Sequence, residues 1–263
     1  MTQNSTLHRK DQEATVSSLG GTVTRWGVNG NIIIYPQHRV GDKIRGGMHQ
    51  CFPNFGKVAD SFSLPQHGRL RDLEMGLMKG HKTKWESEVT TRLESRELFG
   101  KENLVCAVET GTTLFSSAGG APSLRYVLSA YLKSGPKEHA WVNPGFHPYF
   151  YAPRGEALIR YGKETFRWSW ERRTNPKFIP SKRETRKGPV SIEILGLCTV
   201  EMELDYEFLG KPTTGVVIWS DSCNYVCVEP VLGTPGKYGQ KGCQRLLRTR
   251  ALDFGCTLRV TNM

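Results

Sequence analysis

The chain has 263 residues, of which 38% are hydrophobic and 23% are charged, and its formal net charge is +11. These proportions are ordinary for a globular protein and exclude wholesale disorder, while the longest apolar runs are far shorter than the ~20 residues that a membrane-spanning helix needs. The excess of lysine and arginine predicts attraction to an anion, whether a nucleic acid, a membrane surface or a phosphorylated metabolite.

The first 18 residues are polar and lack the apolar segment of a signal peptide. We expect residues 1–18 to form a loose tail and residues 19–263 to form one domain, because large all-β folds of this length are often single domains. No apolar segment suggests a membrane partner. The expected location is the cytoplasm.

The seven cysteines are an odd number without paired spacing, which does not indicate a disulfide framework. A zinc site formed by Cys223, Cys227 and Cys243 is conceivable, but no C-x-x-C pair supports it. We therefore expect reduced thiols and no metal.

Alternation of apolar and polar residues, the period of a half-buried strand, recurs along the chain. It predicts strands in chain order at 22–26, 31–35, 84–95, 104–110, 123–132, 191–195, 199–208, 215–220, 225–228 and 257–260. Helical periodicity never extends beyond two or three turns. The sequence therefore predicts an all-β fold, a large antiparallel β-sandwich, with long irregular segments at 45–80 and 163–189.

Two histidines lie in short segments rich in proline and glycine. His67 lies in PQHGRLR (65–71), and His147 lies in the strand-like NPGFHPYF (143–150). Imidazole titrates near neutral pH, so it can donate a proton and reclaim it. The alternative for His147 is a core histidine bonded to a backbone carbonyl.

Glu229 ends the apolar strand in NYVCVEP (224–230), directly before a proline. A carboxylate acts best as a general base when burial raises its pKa toward the working pH. The alternative is a carboxylate at a strand end that pairs with an arginine. One carboxylate and two histidines suffice for proton transfer on a small polar substrate without metal or cofactor.

Four segments in order resemble the aldose 1-epimerase superfamily: RGGMHQCFPNFG (45–56), LPQHGRLR (64–71), FHPYF (146–150) and VCVEP (226–230). They are most similar to the glucose-6-phosphate 1-epimerase-like branch. The resemblance covers roughly residues 20–260. It implies a galactose mutarotase-like supersandwich that interconverts the α and β anomers of an aldohexose, with a hexose 6-phosphate as the expected substrate and no cofactor.

The resemblance also implies roles for both candidate proton-transfer groups. His147 would be the general acid on the ring oxygen of the sugar, and Glu229 would be the base that takes the proton of the anomeric hydroxyl. His67 would bind hydroxyls or support charge on the ring oxygen, although an exchange of roles with His147 stays open.

The remaining implied residues bind the substrate. Gln66 can donate and accept, which suits a vicinal pair of hydroxyls. Arg45 and Arg71 stand where the sugar-phosphate branch has its phosphate-binding arginines, and a guanidinium matches phosphate oxygens in a bidentate manner.

The chain departs from the family pattern in three places. Met48 and His49 replace an Ile-Pro pair. A central-loop position that is acidic in the family has no clear counterpart, and Glu184 is the nearest acidic residue. The segment VVIWSDSCNY (216–225) is shortened, and Asp221 is its only carboxylate. These departures affect the substrate and leave the proton-transfer pair intact.

Two other functions compete with this hypothesis. The same fold could bind a sugar phosphate without catalysis, since a fold does not determine a function. A nucleic-acid-binding module could use the aromatic and basic segment 160–187. We do not expect the latter, because the chain contains no recognisable nucleic-acid-binding motif.

Overall fold

The computed structural model describes residues 2–78, 80–172, 176–181, 188–207, 214–239 and 243–263. The strands in chain order are β1 (Asn4–Arg9), β2 (Gln12–Ser17), β3 (Val23–Val28), β4 (Asn31–Ile34), β5 (His38–Val40), β6 (Lys43–Arg45), β7 (Met48–Cys51), β8 (Gly76–Leu77), β9 (His81–Lys82), β10 (Glu86–Ser95), β11 (Val105–Ser116), β12 (Pro122–Ser134), β13 (His139–Val142), β14 (Gly145–Tyr151), β15 (Glu156–Tyr161), β16 (Glu164–Ser169), β17 (Lys177–Pro180), β18 (Val190–Ile194), β19 (Cys198–Glu207), β20 (Thr214–Trp219), β21 (Tyr225–Leu232), β22 (Gln244–Leu247) and β23 (Leu252–Asn262). Short 3-10 turns lie at Asp60–Phe62, Leu70–Asp72, Glu97–Glu102, Ala118–Gly120 and Trp170–Arg172.

Two large sheets form the framework. Within the described ranges, the first sheet has nine strands in the order β1-β2-β3-β4-β14-β21-β20-β17, and β7 pairs with both β14 and β3. The second has ten, in the order β16-β15-β18-β19-β23-β12-β11-β10-β8, with β9 on β10. Each pairing between these strands is antiparallel. The predicted all-β antiparallel sandwich is confirmed.

One hydrophobic core contains side chains from both sheets. Phe146 of β14 stacks on Phe254 of β23 with ring centroids 4.6 Å apart, and Tyr126 of β12 lies 5.1 Å from Phe146. Successive side chains of a strand point to opposite faces. Because Phe146 points into the core, its neighbour His147 points to the other face of the first sheet.

The expectation of a loose tail at residues 1–18 is wrong for residues 4–17. These residues form β1 and β2, which pair from Asn4 with Ser17 to Arg9 with Gln12. The physical reason is burial, since Leu7, Ala14 and Val16 join the core. The polar residues between them gave the segment its hydrophilic composition.

Each of the ten predicted strands coincides with an observed strand, although Phe208, at the end of the predicted 199–208 strand, lies outside the described residues. Both predicted irregular segments contain strands, namely β7 and β8 in 45–80 and β16 and β17 in 163–189. Glu184 also lies outside the described residues. In the part of the chain that the structure describes, there is no helix of the length and apolarity that crossing a membrane requires.

Candidate active site

Three central strands of the first sheet direct their chemically active side chains away from the core. The period of two places these side chains on one face: His49 and Cys51 of β7, His147 and Tyr149 of β14, and Cys227 and Glu229 of β21. Four of these residues, His49, His147, Tyr149 and Glu229, form the floor of a cleft of about 740 Å³. The volume falls in the range typical of small-molecule sites.

The predicted proton-transfer pair meets on this floor. The pairing of β14 with β21 joins Gly145 to Val231 and Tyr149 to Cys227, so His147 and Glu229 occupy matching positions between these pairs. His147 Nε2 lies 3.5 Å from Glu229 Oε1, and only 6% and 3% of the two side chains are exposed. Sheet register therefore positions the pair, and the cleft isolates it from bulk water.

Other rings surround the His147 imidazole. Its centroid is 4.8 Å from that of His49, the residue directly opposite on β7, and 4.7 Å from that of Tyr149. His67 and Trp219 contact it edge-on at 5.4 and 5.8 Å. These contacts restrict the orientation of the imidazole plane.

Burial sets the proton affinities of the pair. Loss of hydration lowers the pKa of His147, and the nearby His49, His67, Arg71 and Arg45 lower it further. Burial raises the pKa of Glu229 well above the ordinary value for a carboxyl group. Both shifts favour the uncharged forms of the two groups. Moving one proton from Glu229 to His147 would convert the uncharged pair into an ion pair without any change in proton count.

His67 lies in a strained turn beside this pair. Its φ of +68° is unusual for a residue other than glycine, and such backbone conformations concentrate at functional sites. The backbone N–H of Gly56 donates to His67 Nδ1 at 3.3 Å, and the Cys51 thiol lies 3.3 Å from the same nitrogen. Because Nδ1 accepts, the proton of the neutral ring lies on Nε2.

That tautomer makes His67 a hydrogen-bond donor in the cleft. Burial lowers its pKa to about 4, with further contributions from Arg71 and Arg45, so the ring is neutral at pH 7. The Gln66 amide nitrogen lies 3.1 Å from His67 Nε2, and a hydrogen bond with this tautomer requires the amide group to be turned so that its oxygen faces the ring. A sugar hydroxyl can take the place of that oxygen.

Arg45 lines the cleft and forms an ion pair with Asp221. Its Nε and Nη2 donate to Asp221 Oδ2 at 2.9 and 2.7 Å, and its guanidinium lies over the Trp219 ring at 5.4 Å from the centroid. The second carboxylate oxygen of Asp221 accepts a hydrogen bond from the Tyr225 hydroxyl. Asp221 therefore compensates the charge of Arg45 and fixes the guanidinium against an aromatic ring.

Arg71 is bound less tightly. Its Nε lies 3.8 Å from Asp72 Oδ2, and its Nη2 donates to the Gln66 carbonyl at 3.3 Å. Arg39 and Lys43, on the exposed β5–β6 hairpin, line the same cleft. Asp42 and Asp72 also line the cleft, so its mouth carries four basic and two acidic side chains, and this excess of positive charge favours an anionic ligand.

All six residues predicted as a site from the sequence line this one cleft, namely Arg45, Gln66, His67, Arg71, His147 and Glu229. Sequence reasoning missed His49 and Trp219 as parts of the site and the pairing of Asp221 with Arg45. The alternation of β7 could have placed His49 beside Cys51 on one face. Nothing in the local sequence could show that Asp221 reaches Arg45, because 176 positions separate the two residues.

Comparisons with known proteins give structural matches only. No family model and no curated protein matches this sequence. The chain is similar to the structure of a galactose mutarotase related enzyme from Lactobacillus acidophilus, at 15% identity and a TM-score of 0.75 over 98% of this chain and 97% of that one. A galactose mutarotase-like protein from Clostridium acetobutylicum matches at 14% identity and a TM-score of 0.73, with 100% and 99% covered.

A GalM/aldose epimerase homologue from C. elegans also matches, at 8% identity and a TM-score of 0.69 over the whole of both chains. At these identities the likeness concerns the fold. The chain has the galactose mutarotase-like fold, which is the fold of mutarotase and aldose epimerase proteins. This agrees with the fold that the sequence motifs implied.

The buried histidines predict acid sensitivity. His49, His67 and His147 have pKa values lowered by burial. The unfolded chain therefore binds protons below pH ~6.5 that the folded chain rejects, and each histidine removes about 1.4 kcal/mol of stability per pH unit until its folded pKa is reached. The raised pKa of Glu229 has the opposite effect on the free energy of unfolding, because the folded chain then binds a proton that the unfolded chain does not. Above pH ~4.5 this gain offsets the loss caused by about one histidine. The free energy of unfolding should fall as pH drops from 6.5 toward 4.

Denaturant titrations at several pH values would measure this fall. His67→Gln should reduce the slope by about 1.4 kcal/mol per pH unit. Equal slopes for His67→Gln and the wild-type protein would contradict the prediction.

Proposed function

We propose that the protein interconverts the α and β anomers of an aldohexose, with a hexose 6-phosphate as substrate, by general acid/base opening and closure of the ring. The observation that carries the proposal is the buried His147–Glu229 pair, 3.5 Å apart on the floor of the cleft. The C1–O5 bond breaks and re-forms with the help of one proton donor and one proton acceptor, so this pair suffices for the chemistry. The protein would therefore be an isomerase of the mutarotase type.

The proposed mechanism uses one proton of the pair. Substrate hydroxyls stabilise the ion-pair form, in which Glu229 is a carboxylate and His147 carries the proton. Glu229 then takes the O1 proton of the sugar while His147 protonates the ring oxygen, and the C1–O5 bond breaks to give the open-chain aldehyde. Rotation about C1–C2 exposes the other face of the carbonyl. Ring closure returns both protons.

The surrounding residues would position the sugar. His67, a neutral donor through Nε2, can hydrogen-bond a hydroxyl or the ring oxygen, and Gln66 can bind a neighbouring hydroxyl. The rings of Trp219 and Tyr149 offer flat apolar surfaces beside the pair. Their orientation relative to His147 supports a bound sugar ring in reach of both proton-transfer groups.

Arg45 and Arg71 are the proposed phosphate ligands. Both influence the cleft histidines electrostatically, which supports their closeness to the sugar-binding floor. Arg39 and Lys43 would add to the local potential that attracts the dianion.

The test is anomer exchange measured by NMR magnetisation transfer on glucose 6-phosphate, glucose, galactose and mannose 6-phosphate. We expect acceleration by the wild-type protein, greatest for a phosphorylated hexose. Saturable binding of a sugar phosphate without any acceleration would instead support the non-catalytic binder. Acceleration of anomer exchange for neutral sugars alone would support the epimerase activity and contradict the proposed preference for a phosphorylated sugar.

Asp221→Asn should strengthen the binding of a hexose 6-phosphate. The substitution removes a negative charge that competes with the phosphate for Arg45, while the amide oxygen of asparagine can still accept a hydrogen bond from the Tyr225 hydroxyl. Removing one charge at a partly exposed site a few ångströms from a dianion predicts affinity about tenfold tighter, with no comparable change for glucose. Calorimetric titration of both sugars would measure the two affinities.

Asp42→Asn is the matched control. Asp42 lines the same cleft, so its substitution removes an equal charge without releasing Arg45. We expect a twofold change at most, because exposed charges are screened. Weaker phosphate binding by Asp221→Asn would show that Arg45 needs Asp221 and does not meet the phosphate.

A further inference from the structure

Three metal-ligating side chains of different chemistry converge on the cleft floor. An imidazole nitrogen of His147, the Sγ of Cys227 and a carboxylate oxygen of Glu229 all lie within 4.8 Å of one another, and all three residues are buried. Cys227 and Glu229 are two positions apart on β21 and therefore share a face. His147 reaches the group from the adjacent strand β14.

The separations fit a tetrahedral cation after small movements. Zinc bonds to sulfur, nitrogen and oxygen at roughly 2.0–2.3 Å, so ligand atoms around it lie about 3.5 Å apart. The 3.5 Å between His147 Nε2 and Glu229 Oε1 already equals this value. The other ligand atoms lie at most 4.8 Å apart, so they need to close by up to about 1.3 Å.

The kinds of ligand select the kind of cation. Magnesium and calcium prefer oxygen ligands throughout, whereas a set of one nitrogen, one sulfur and one oxygen suits zinc and its thiophilic analogues. Three protein ligands leave a fourth position, which here would face the cleft, since His147 and Glu229 line it. An open fourth position is the pattern of zinc sites that exchange ligands.

The site would form only when a cation arrives. A metal binds the deprotonated thiol, so cation binding must release a proton from Cys227. The thiolate and the Glu229 carboxylate would then balance the two positive charges of the cation. The nearby Arg45 and Arg71 oppose its entry, so affinity should be micromolar rather than that of a structural zinc site.

We propose that His147, Cys227 and Glu229 form a binding site for a thiophilic divalent cation of the zinc class, and that the cation and the sugar exclude each other. The binding stands on the ligand geometry alone. The mutual exclusion rests on the proposed function, since two of the ligands are the proposed acid and base.

The experiment titrates the full-length protein with Cd²⁺ and follows the ultraviolet charge-transfer band of the thiolate–cadmium bond. We expect saturation at one equivalent in the wild-type protein and binding at least tenfold weaker in Cys227→Ser. The matched controls are Cys51→Ser, which removes another buried thiol of the same face, and Cys223→Ser, which removes an exposed thiol. Both should keep the band.

His147→Asn supplies a second variant that retains the thiol and removes the nitrogen. It should also bind Cd²⁺ at least tenfold more weakly, and it decides the outcome if Cys227→Ser fails to fold. Persistence of the band in Cys227→Ser, its loss in Cys51→Ser or Cys223→Ser, or no band at millimolar Cd²⁺ would each overturn the proposed site.

Inhibition is measured separately. Zn²⁺ should slow anomer exchange in the wild-type protein and in Cys223→Ser at the concentrations at which Cd²⁺ binds. If the wild-type protein shows no exchange at all, the cadmium titration still tests the site, so failure of the proposed function and failure of the metal site are distinguishable.

Discussion

Glu229→Gln should lower the rate of anomer exchange by about 10²–10⁴-fold, the usual contribution of a general acid or base. Glutamine has nearly the same shape and hydrogen-bonding reach as glutamate, but its amide cannot take the O1 proton. The side chain is buried and burial raises the pKa of the carboxyl, so a neutral replacement removes a group that is costly to ionise. The free energy of unfolding at pH 7 should therefore be unchanged or higher.

Magnetisation transfer on glucose 6-phosphate would measure the rate, and calorimetry would measure sugar affinity in parallel. His147→Asn should cause a similar loss, and the double variant should lose little more than either single variant, because the two groups act in one proton transfer. Glu13→Gln, at a surface ion pair with Arg25, is the control and should keep the wild-type rate. A rate of anomer exchange in Glu229→Gln within threefold of the wild-type rate would show that Glu229 is not the base.

Gly68→Ala should destabilise the protein by about 2–5 kcal/mol, the sum of a left-handed backbone cost and a steric clash. Gly68 has a φ of +72°, and a Cβ at this position would collide with the Phe52 carbonyl. The Phe52 carbonyl also accepts from the backbone N–H groups of Arg69 and Leu70 at 3.1 and 3.3 Å, so it cannot move freely. Relief of the clash would displace His67, and anomer exchange should fall together with stability.

Gly30→Ala separates the two costs. Gly30 has a similar φ of +77°, but no atom lies within 4 Å of the position that a Cβ would take. This variant should lose only the backbone contribution, about 1–2 kcal/mol, and keep its exchange rate. Denaturant unfolding of both variants measures the difference, and equal losses would show that the Phe52 contact is not a constraint.

Sequence reasoning predicted the strands well where alternation was regular. The segments at 84–95, 123–132 and 199–208 alternate, strictly so at 199–208, and they overlap β10, β12 and β19. It was wrong for β1 and β2, where few apolar residues suffice because the strands pair along one edge of the sheet. It also missed β7, a short strand that pairs on both sides with distant segments.

The sequence by itself identified side chains that line the cleft. Histidines at 67 and 147, a glutamate at 229 and arginines at 45 and 71 stand in motifs whose order implied one site, and they do line one cleft. Tertiary structure alone decided how these groups meet. Sheet register sets the 3.5 Å between His147 and Glu229, and burial moves their pKa values in opposite directions.

Tertiary structure also decided which charges are compensated. Asp221 pairs with Arg45, and Cys227 lies close to His147, through contacts between residues far apart in sequence. The physical reason is that side-chain identity and periodicity are local properties, whereas the distance between two groups and their exposure to water depend on how strands pair and pack.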